Sequence, residues 1–399
     1  MKKLFISILI TAALLLALAG VAFAANSEAI IEVPDYKIIM DGKLTEYNDV
    51  PLSVADRTLL PLRELLVNLG VPNDDAHIIY NDEEKSVTVY MDQMKIYLVV
   101  GNNVAYVNDQ PIELDVAPVF YAKLNRTYIP LRFVSEALGK KVIWDGSANA
   151  ILICDAAKYD SIKQILDRSG EAMKLVNKFK QTLNVDSTVE SEQGNVKFNI
   201  NVEAQVDKIQ KKMYMKMAMD MALNMLSMEM KMDTYYTDNA SYIQDILTQK
   251  WQKKTYLQPE YDKLFEDQSE TITLDATEPL CAGLTQAEGT NPDEILLKGD
   301  VYLIELFKKA LASQEAGNSI ASNEDMGFDT FYIEISFNRN TYLITNIIMN
   351  VGLIQTTDQE NTEMNVSVKG QFSDYNGDFQ IIVPEDVLKN AVETQDAVK

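Results

Sequence analysis

Methionines at every second position are the residues of this sequence whose type and spacing most clearly suggest chemistry. Thioether sulfurs can bind Cu(I), and flexible methionine side chains adapt to varied apolar ligands. No histidine stands near them, which argues against a copper-handling role. The candidate ligand-lining residues are Met213, Met215, Met217, Met219, Met228, Met230 and Met232.

The alternation of these methionines predicts the structure that must carry them. A period of two is typical of half-buried antiparallel strands, and it places all the methionines of one strand on one face of the sheet. If the two strands pair directly, both sets share that face. Two interpretations remain open: the face is packed core, or it lines an apolar hollow for a lipid or acyl ligand.

Other residues give no pattern for catalysis or metal binding. The single histidine, His77, stands among scattered carboxylates and does not have metal-ligand spacing. Asp374, Asn376 and Asp378 lack the glutamate that would complete a calcium loop, so they indicate a turn. The chain contains no GxSxG, HExxH or phosphate-loop motif. We therefore predict no catalytic residue, no metal site, no cofactor and no enzymatic activity.

A segment of fourteen residues occurs twice in the first half. Residues 57–70 and 126–139 share Arg-Thr, Pro-Leu-Arg and Leu-Gly at an offset of 69 positions. In each copy β-prone residues precede Pro61 or Pro130, which suits the first turn of a helix. Gly70 and Gly139 then stand where a left-handed helix end is expected. The predicted unit is a strand, a helix and a hairpin, present twice within one α+β domain.

This repeat, written RTxxPLRxxxxxLG with a later [VI]xWD, resembles the copper amine oxidase N-terminal-like domain, also called the stalk domain. Trp144-Asp145 fits the motif, whereas the first copy has Tyr80-Asn81 there. The resemblance implies a structural or binding module without the oxidase active site. Arg63 and Arg132 are the charged constants of the motif, and we expect each to pair with the adjoining hairpin, for instance Arg132 with Asp145.

Aromatic residues in the doubled module allow a second interpretation. Tyr121, Tyr128, Phe133 and Trp144 are either core residues or a surface that stacks on the sugars of a wall polymer.

The first 24 residues have the features of a secretory signal peptide. Lys2 and Lys3 precede an apolar run, and Ala22-Phe23-Ala24 fits a cleavage site. No later run is long enough for a membrane span. We predict a secreted protein, extracellular or associated with the cell wall. Its net charge of −23 argues against nucleic acid and against anionic membranes as partners.

Two cysteines, Cys154 and Cys281, stand in different segments of this exported chain. They are either a disulfide or two buried or free thiols, and the sequence favours the thiols.

The second half changes in composition. We predict a connecting helix at 156–183, packed on a curved antiparallel sheet domain at 184–399 whose helical insert includes Pro292–Lys298 and Val301–Ser313. The alternating methionines, Tyr235-Tyr236, Lys250-Trp251 and Val383-Pro384-Glu385-Asp386 resemble bacterial half-barrel lipoprotein-carrier-like exported proteins. With a signal peptide at 1–24 and a stalk-type domain at 25–155, the predicted fold class is α+β.

The sequence leaves two functions open. The first is a non-enzymatic cell-envelope protein that binds or acts as a spacer through its stalk-type module. The alternative is a lipid or lipoprotein carrier that uses the methionine-lined face of the C-terminal sheet.

Overall fold

The computed structural model describes residues 29–146, 148–191, 194–223, 226–269, 276–302, 326–356 and 361–394. The predicted signal peptide and most of the predicted helix Val301–Ser313 lie outside these residues. The first-half strands are β1 (Ile31–Glu32), β2 (Lys37–Met40), β3 (Lys43–Thr45), β4 (Leu52–Val54), β5 (Arg57–Pro61), β6 (Ile78–Asn81), β7 (Ser86–Met91), β8 (Met94–Val99), β9 (Val104–Val107), β10 (Gln110–Glu113), β11 (Val119–Tyr121), β12 (Arg126–Pro130), β13 (Lys140–Asp145) and β14 (Ala150–Asp155). The first-half helices are α1 (Leu62–Asn68) and α2 (Leu131–Ala137).

The second half begins with a long helix and continues mainly as long strands. Its strands are β15 (Lys178–Ser191), β16 (Gly194–Asp207), β17 (Lys212–Leu223), β18 (Leu226–Thr237), β19 (Ala240–Gln244), β20 (Trp251–Thr255), β21 (Thr285–Ala287), β22 (Glu294–Asp300), β23 (Met326–Asn338), β24 (Ile344–Thr356), β25 (Asn361–Ser373) and β26 (Val392–Glu393). Its helices are α3 (Ala156–Lys174), α4 (Gln258–Ser269), α5 (Glu278–Gly283) and α6 (Glu385–Asn390).

The described chain divides into two compact units. The first comprises residues 29–35 and 47–138, and the second comprises residues 36–46 and 139–394. The division runs through the doubled module, because the hairpin of the second copy (β13 and β14) belongs to the second unit.

The first unit is built around its two repeats. Its five-stranded sheet has the order β1-β4-β5-β12-β11, so the repeat strands β5 and β12 pair at the centre. Leu60 lies opposite Ile129, its own counterpart in the second copy. A pseudo-twofold axis therefore passes through this pair, and it brings Pro61 and Pro130 to equivalent positions. A second sheet has the order β10-β9-β8-β7-β6.

The helices of the repeats begin and end where the motif predicts. Pro61 and Pro130 are the residues that precede α1 and α2, and Leu65 and Val134 are fully buried on the inner sides of these helices. Gly70 and Gly139 have φ values of +98° and +75°, a left-handed conformation that suits glycine. The predicted doubled strand-helix-hairpin architecture is thus confirmed.

The second unit combines a small and a large sheet. The small sheet has the order β13-β14-β2-β3, in which β2 runs parallel to β14. The large sheet has twelve strands in the described residues, in the order β21-β22-β23-β24-β25-β15-β16-β17-β18-β19-β20-β26. Its pairings are antiparallel except that of β20 with β26. The predicted antiparallel sheet packed on helices is confirmed.

One core cluster joins the parts of the second unit. It contains Ile162 and Leu166 of α3, Leu152 of β14, and Leu297 and Ile335 of the large sheet. Helix α3 thus packs between the small sheet and the large one, with Asp155 accepting a hydrogen bond from the Lys158 amide at its N-terminus.

Two predicted helices are wrong in their extent or type. The connecting helix was expected to reach residue 183, but α3 ends at Lys174 and β15 begins at Lys178. Val176 and Phe179 fit helical spacing, but residues 179–185 also alternate between apolar and polar side chains. This segment forms a strand because it pairs with a neighbouring strand on each side. Pro292–Lys298 is largely strand β22, because Ile295 and Leu297 lie opposite Phe337 and Ile335 in the core.

Candidate ligand-binding face

The methionines of β17 and β18 lie on one face of the large sheet, which we call the methionine face. Met217 is directly opposite Met232, and Met219 is directly opposite Met230. Residues that are directly opposite in an antiparallel pair point to the same side. The two strands therefore place their sulfurs together, as the alternation predicts for directly paired strands.

The methionine face continues across the sheet as rows of apolar residues. Each row consists of directly paired residues on successive strands, and the three rows below contain a single polar side chain. The first row is Leu297, Ile335, Ile347, Gly370, Leu183, Val202, Met217 and Met232. The second is Ile333, Met349, Val368, Val185, Ile200, Met219 and Met230. The third is Phe331, Val351, Val366, Ser187, Phe198, Met221 and Met228.

Burial changes along the methionine face from one end to the other. Met213 is 6% exposed and packs in the main core cluster with Phe179 and Val206. Met217, Met219, Met230 and Met232 are only half-buried, and Met228 is 51% exposed. The face is thus closed by the core at the Met213 end and accessible toward Met228. The two interpretations left open by the sequence, core and hollow, therefore apply to different ends of the face, since Met213 alone of these methionines has the burial of a core residue.

The opposite face of the same strands is polar. A groove of about 460 Å³ there is lined by Lys180, Glu203, Gln205 and Tyr214 among others. Tyr214 stacks on Tyr235 with ring centroids 4.7 Å apart. Partial burial raises the pKa of Tyr214 to about 12, so its hydroxyl stays protonated at neutral pH.

Sequence reasoning missed how far the apolar face extends. The rows also include residues of β15, β24 and β25, such as Val185, Met349 and Val368. The signal was present as alternation in 179–185 and 347–353, but a pattern in one strand does not reveal which strand lies beside it.

Potential metal ligands are not assembled in the described part of the chain. No group of three or more His, Cys, Asp or Glu side chains there has the arrangement of a metal site. His77 Nδ1 lies 2.7 Å from Asp74 Oδ1. Asn376 Oδ1 accepts hydrogen bonds from the backbone amides of Asn177 and Lys178, so the turn at 374–378 binds the backbone at the start of β15.

The motif arginines make surface contacts. Arg63 Nη1 donates to Asn73 Oδ1 at 2.8 Å, in the loop after α1, and not to a hairpin carboxylate. Arg132 Nη1 lies 3.4 Å from Glu136 Oε1, one turn along its own helix. The pairing of Arg132 with Asp145 stays a prediction.

Two motif arginines that the sequence did not single out bind carboxylates in the first unit. Arg57 Nε lies 2.7 Å from Asp115 Oδ2, and Arg126 Nε lies 3.1 Å from Asp49 Oδ2. Both are at equivalent positions of the repeat. Their recurrence in the Arg-Thr pair was the available signal.

The four aromatic residues considered for sugar stacking differ in their burial. Tyr128 is fully buried and donates to the Val50 carbonyl at 2.9 Å, so it belongs to the core. Tyr121 meets it edge-on, with the ring centroids 6.0 Å apart. Phe133 is half-buried. Trp144 is 43% exposed and contacts Tyr36 in the second unit.

Comparison with known families identifies both halves of the chain. Residues 39–153 match the model of the copper amine oxidase N-terminal domain, which confirms the prediction from the repeat. Residues 161–392 match the model of a family of unknown function, DUF6612. This second match covers more than half of the sequence, so the chain belongs to the DUF6612 family. No curated protein matches the chain significantly.

Two solved structures have weak similarity to the chain. A DUF1329 family protein from Desulfovibrio piger is 8% identical, with a TM-score of 0.17, covering 56% of this chain and 94% of that one. A beta-barrel-like protein of the DUF1849 domain of unknown function, from Brucella abortus, is 9% identical, with a TM-score of 0.16, covering 50% and 100%. Both TM-scores are low, so neither structure bears on what this chain binds.

None of the helices in the described residues has both the length and the hydropathy needed to cross a bilayer.

Proposed function

We propose that this protein is a non-enzymatic component of the cell envelope that holds a lipid or acyl ligand on the methionine face. One observation carries the proposal. Met217, Met219, Met230 and Met232 form directly opposed pairs in a continuous apolar face, yet they are only half-buried. Leaving so much apolar surface accessible is unfavourable in water, and an apolar ligand would cover it.

Methionine suits such a ligand. Its unbranched side chain has several rotatable bonds and a polarisable sulfur, so it fits chains of different shape. The acidic net charge of −23 does not favour adsorption on an anionic membrane surface. We therefore expect single lipid molecules held by the sheet.

The predicted signal peptide supports an exported location, extracellular or at the cell wall, and the first unit would act as a spacer or attachment module.

The proposal is tested on the full-length protein, because residues 36–46 and 139–155 belong to the second compact unit and the fragment 156–399 would lack them. Native mass spectrometry of the secreted protein should show a co-purifying lipid. After delipidation, a long-chain lysophospholipid should rebind and raise the melting temperature.

A polar substitution on the face provides the matched comparison. Met217→Gln should weaken lipid binding, whereas Tyr214→Phe, on the opposite face of the same strand, should leave it unchanged. If no lipid co-purifies and none rebinds to the delipidated protein, the carrier function is wrong and the spacer role of the first unit remains.

A further inference from the structure

The polar side chain within the apolar rows is Ser187. It is 8% exposed, and its hydroxyl has no hydrogen-bond partner among the residues that the structure describes. It lies directly opposite Phe198 on one side and Val366 on the other. Val185 and Val189 are its neighbours along the strand on the same face. A buried hydroxyl in such surroundings destabilises the fold unless another group bonds to it.

The position of Ser187 relates it to the accessible end of the face. Its row ends at Met228, which is 51% exposed. On β17 this row contains Met221. Met215 lies six positions from Met221 in the same strand, which is about 20 Å at the usual rise of a strand. Beyond it, Met213 closes the face with the core. The half-buried surface between these positions is therefore long enough to be covered by a long acyl chain whose polar end is near Ser187.

We propose that the Ser187 hydroxyl donates a hydrogen bond to the carbonyl oxygen of an acyl chain, and so selects ester-linked or free fatty acyl ligands over alkyl chains without a carbonyl. The inference rests on the proposed function. In an acyl ligand the carbonyl is the polar group at the end of the hydrocarbon chain. It can therefore accept a hydrogen bond from a single hydroxyl while the hydrocarbon chain covers the apolar side chains around that hydroxyl. Hydrogen bonding to the ligand satisfies the buried hydroxyl.

A second buried hydroxyl supplies the matched control. Thr234 is 2% exposed, and within the described residues its hydroxyl also has no partner. It lies opposite Met215 and Ile243, toward the closed end of the face. A chain that enters from the accessible end would place its carbonyl near Ser187 and not near Thr234.

The test compares two lipids that differ only in the carbonyl. Delipidated full-length protein is titrated with 1-palmitoyl-lysophosphatidylcholine and with its 1-O-hexadecyl ether analogue. The native protein should bind the acyl lipid about 2- to 10-fold more tightly, the effect of one net hydrogen bond. Ser187→Ala should abolish this preference without weakening ether binding, and Thr234→Val should preserve it. Because Ser187→Ala removes an unsatisfied hydroxyl, the unliganded variant should melt no lower than the native protein.

The outcomes separate the two proposals. If the native protein binds both lipids equally, or Ser187→Ala keeps the preference, the role of Ser187 is overturned while the carrier function stands. If Thr234→Val alone abolishes the preference, the carbonyl lies at the closed end and the assignment to Ser187 is wrong. Failure of both lipids to bind the native protein ends both proposals.

Discussion

Gly42 lies in backbone contact with Asp300. A Cβ added to Gly42 would lie 1.7 Å from the carbonyl oxygen of Asp300, far inside van der Waals contact. Gly283 approaches the same oxygen, since its Cβ would lie 2.2 Å away. The turn between β2 and β3 thus fits against the ends of β22 and α5 only because two glycines meet there. Lys43 adds an ion pair to Asp300 at 3.2 Å.

We expect Gly42→Ala to lower the free energy of unfolding by about 3 kcal/mol or more. Overpacking costs about 1–3 kcal/mol, and the φ of +84° adds about 1–2 kcal/mol for a residue with a Cβ. Urea denaturation followed by tryptophan fluorescence measures this loss. Both tryptophans, Trp144 and Trp251, belong to the second unit, so the signal reports the unit that contains Gly42.

Gly139→Ala is the control for backbone conformation. Gly139 also has a positive φ, +75°, but no atom of the described residues lies within 4 Å of where its Cβ would be. Its substitution should cost about 1–2 kcal/mol. Equal losses for the two variants would show that the contact with Asp300 is unimportant.

This contact also shows what the sequence could not predict. The repeat motif predicted both strand-helix units, because proline, glycine and apolar spacing act locally. It did not predict that β2 pairs in parallel with β14, or that Gly42 meets Asp300, because these partners are far apart in the chain. Nothing in residues 36–46 specifies a distant strand.

For the methionine face, too, the sequence predicted the local feature and not the one that depends on distant parts of the chain. Alternation of Met217 and Met219 correctly predicted a shared face, since side-chain direction in a strand is local. It could not decide between core and accessible surface, because burial depends on what covers the face. Met213 and Met217 have the same type and the same periodicity, and only the fold distinguishes them.

We predict different stability effects at these two methionines. Met213→Ala should cost about 2–5 kcal/mol, as for a large side chain removed from a packed core. Met217→Ala should cost less than about 2 kcal/mol in the delipidated protein, because its half-buried side chain leaves no closed cavity. Urea denaturation of both variants decides the point. If Met217→Ala is as damaging as Met213→Ala, the methionine face is core throughout and the lipid proposal loses its basis.

The two cysteines should be unreactive in the native protein. Cys154 and Cys281 are buried free thiols in one core cluster. Burial raises the pKa of Cys154 to about 12 and that of Cys281 to about 11. Because the thiolate is the nucleophile, iodoacetamide at neutral pH should label neither cysteine in the folded chain.

Intact-mass measurement after labelling tests this expectation. The native protein should gain no adduct, and the same protein in concentrated urea should gain two. An unfolded, unreduced sample that gains none would instead reveal a disulfide, contrary to the free thiols of the structure.

Glu294 should make the stability of the second unit depend on pH. The residue is 8% exposed, and its carboxylate accepts hydrogen bonds from the Thr290 amide and hydroxyl at 2.5 and 2.7 Å. Hydrogen bonds from the Ser336 side chain and from Thr290 hold the pKa of Glu294 below its ordinary value. The ionised group therefore stabilises the fold above the pKa of an unfolded glutamate, about 4.3, and this stabilisation is lost as pH falls through the lower folded pKa.

Glu294→Gln should accordingly lower the free energy of unfolding at pH 7 by about 1–3 kcal/mol, the usual contribution of hydrogen bonds to a charged group. The difference from the native protein should shrink below about pH 4, where the native carboxylate becomes protonated. Urea denaturation at pH 7, 5 and 3.5 measures it, with Glu288→Gln, at an exposed position nearby, as the control. If the difference in free energy of unfolding stays constant over this pH range, the charge of Glu294 does not stabilise the fold. The loss in Glu294→Gln would then come from changed packing or hydrogen bonding alone.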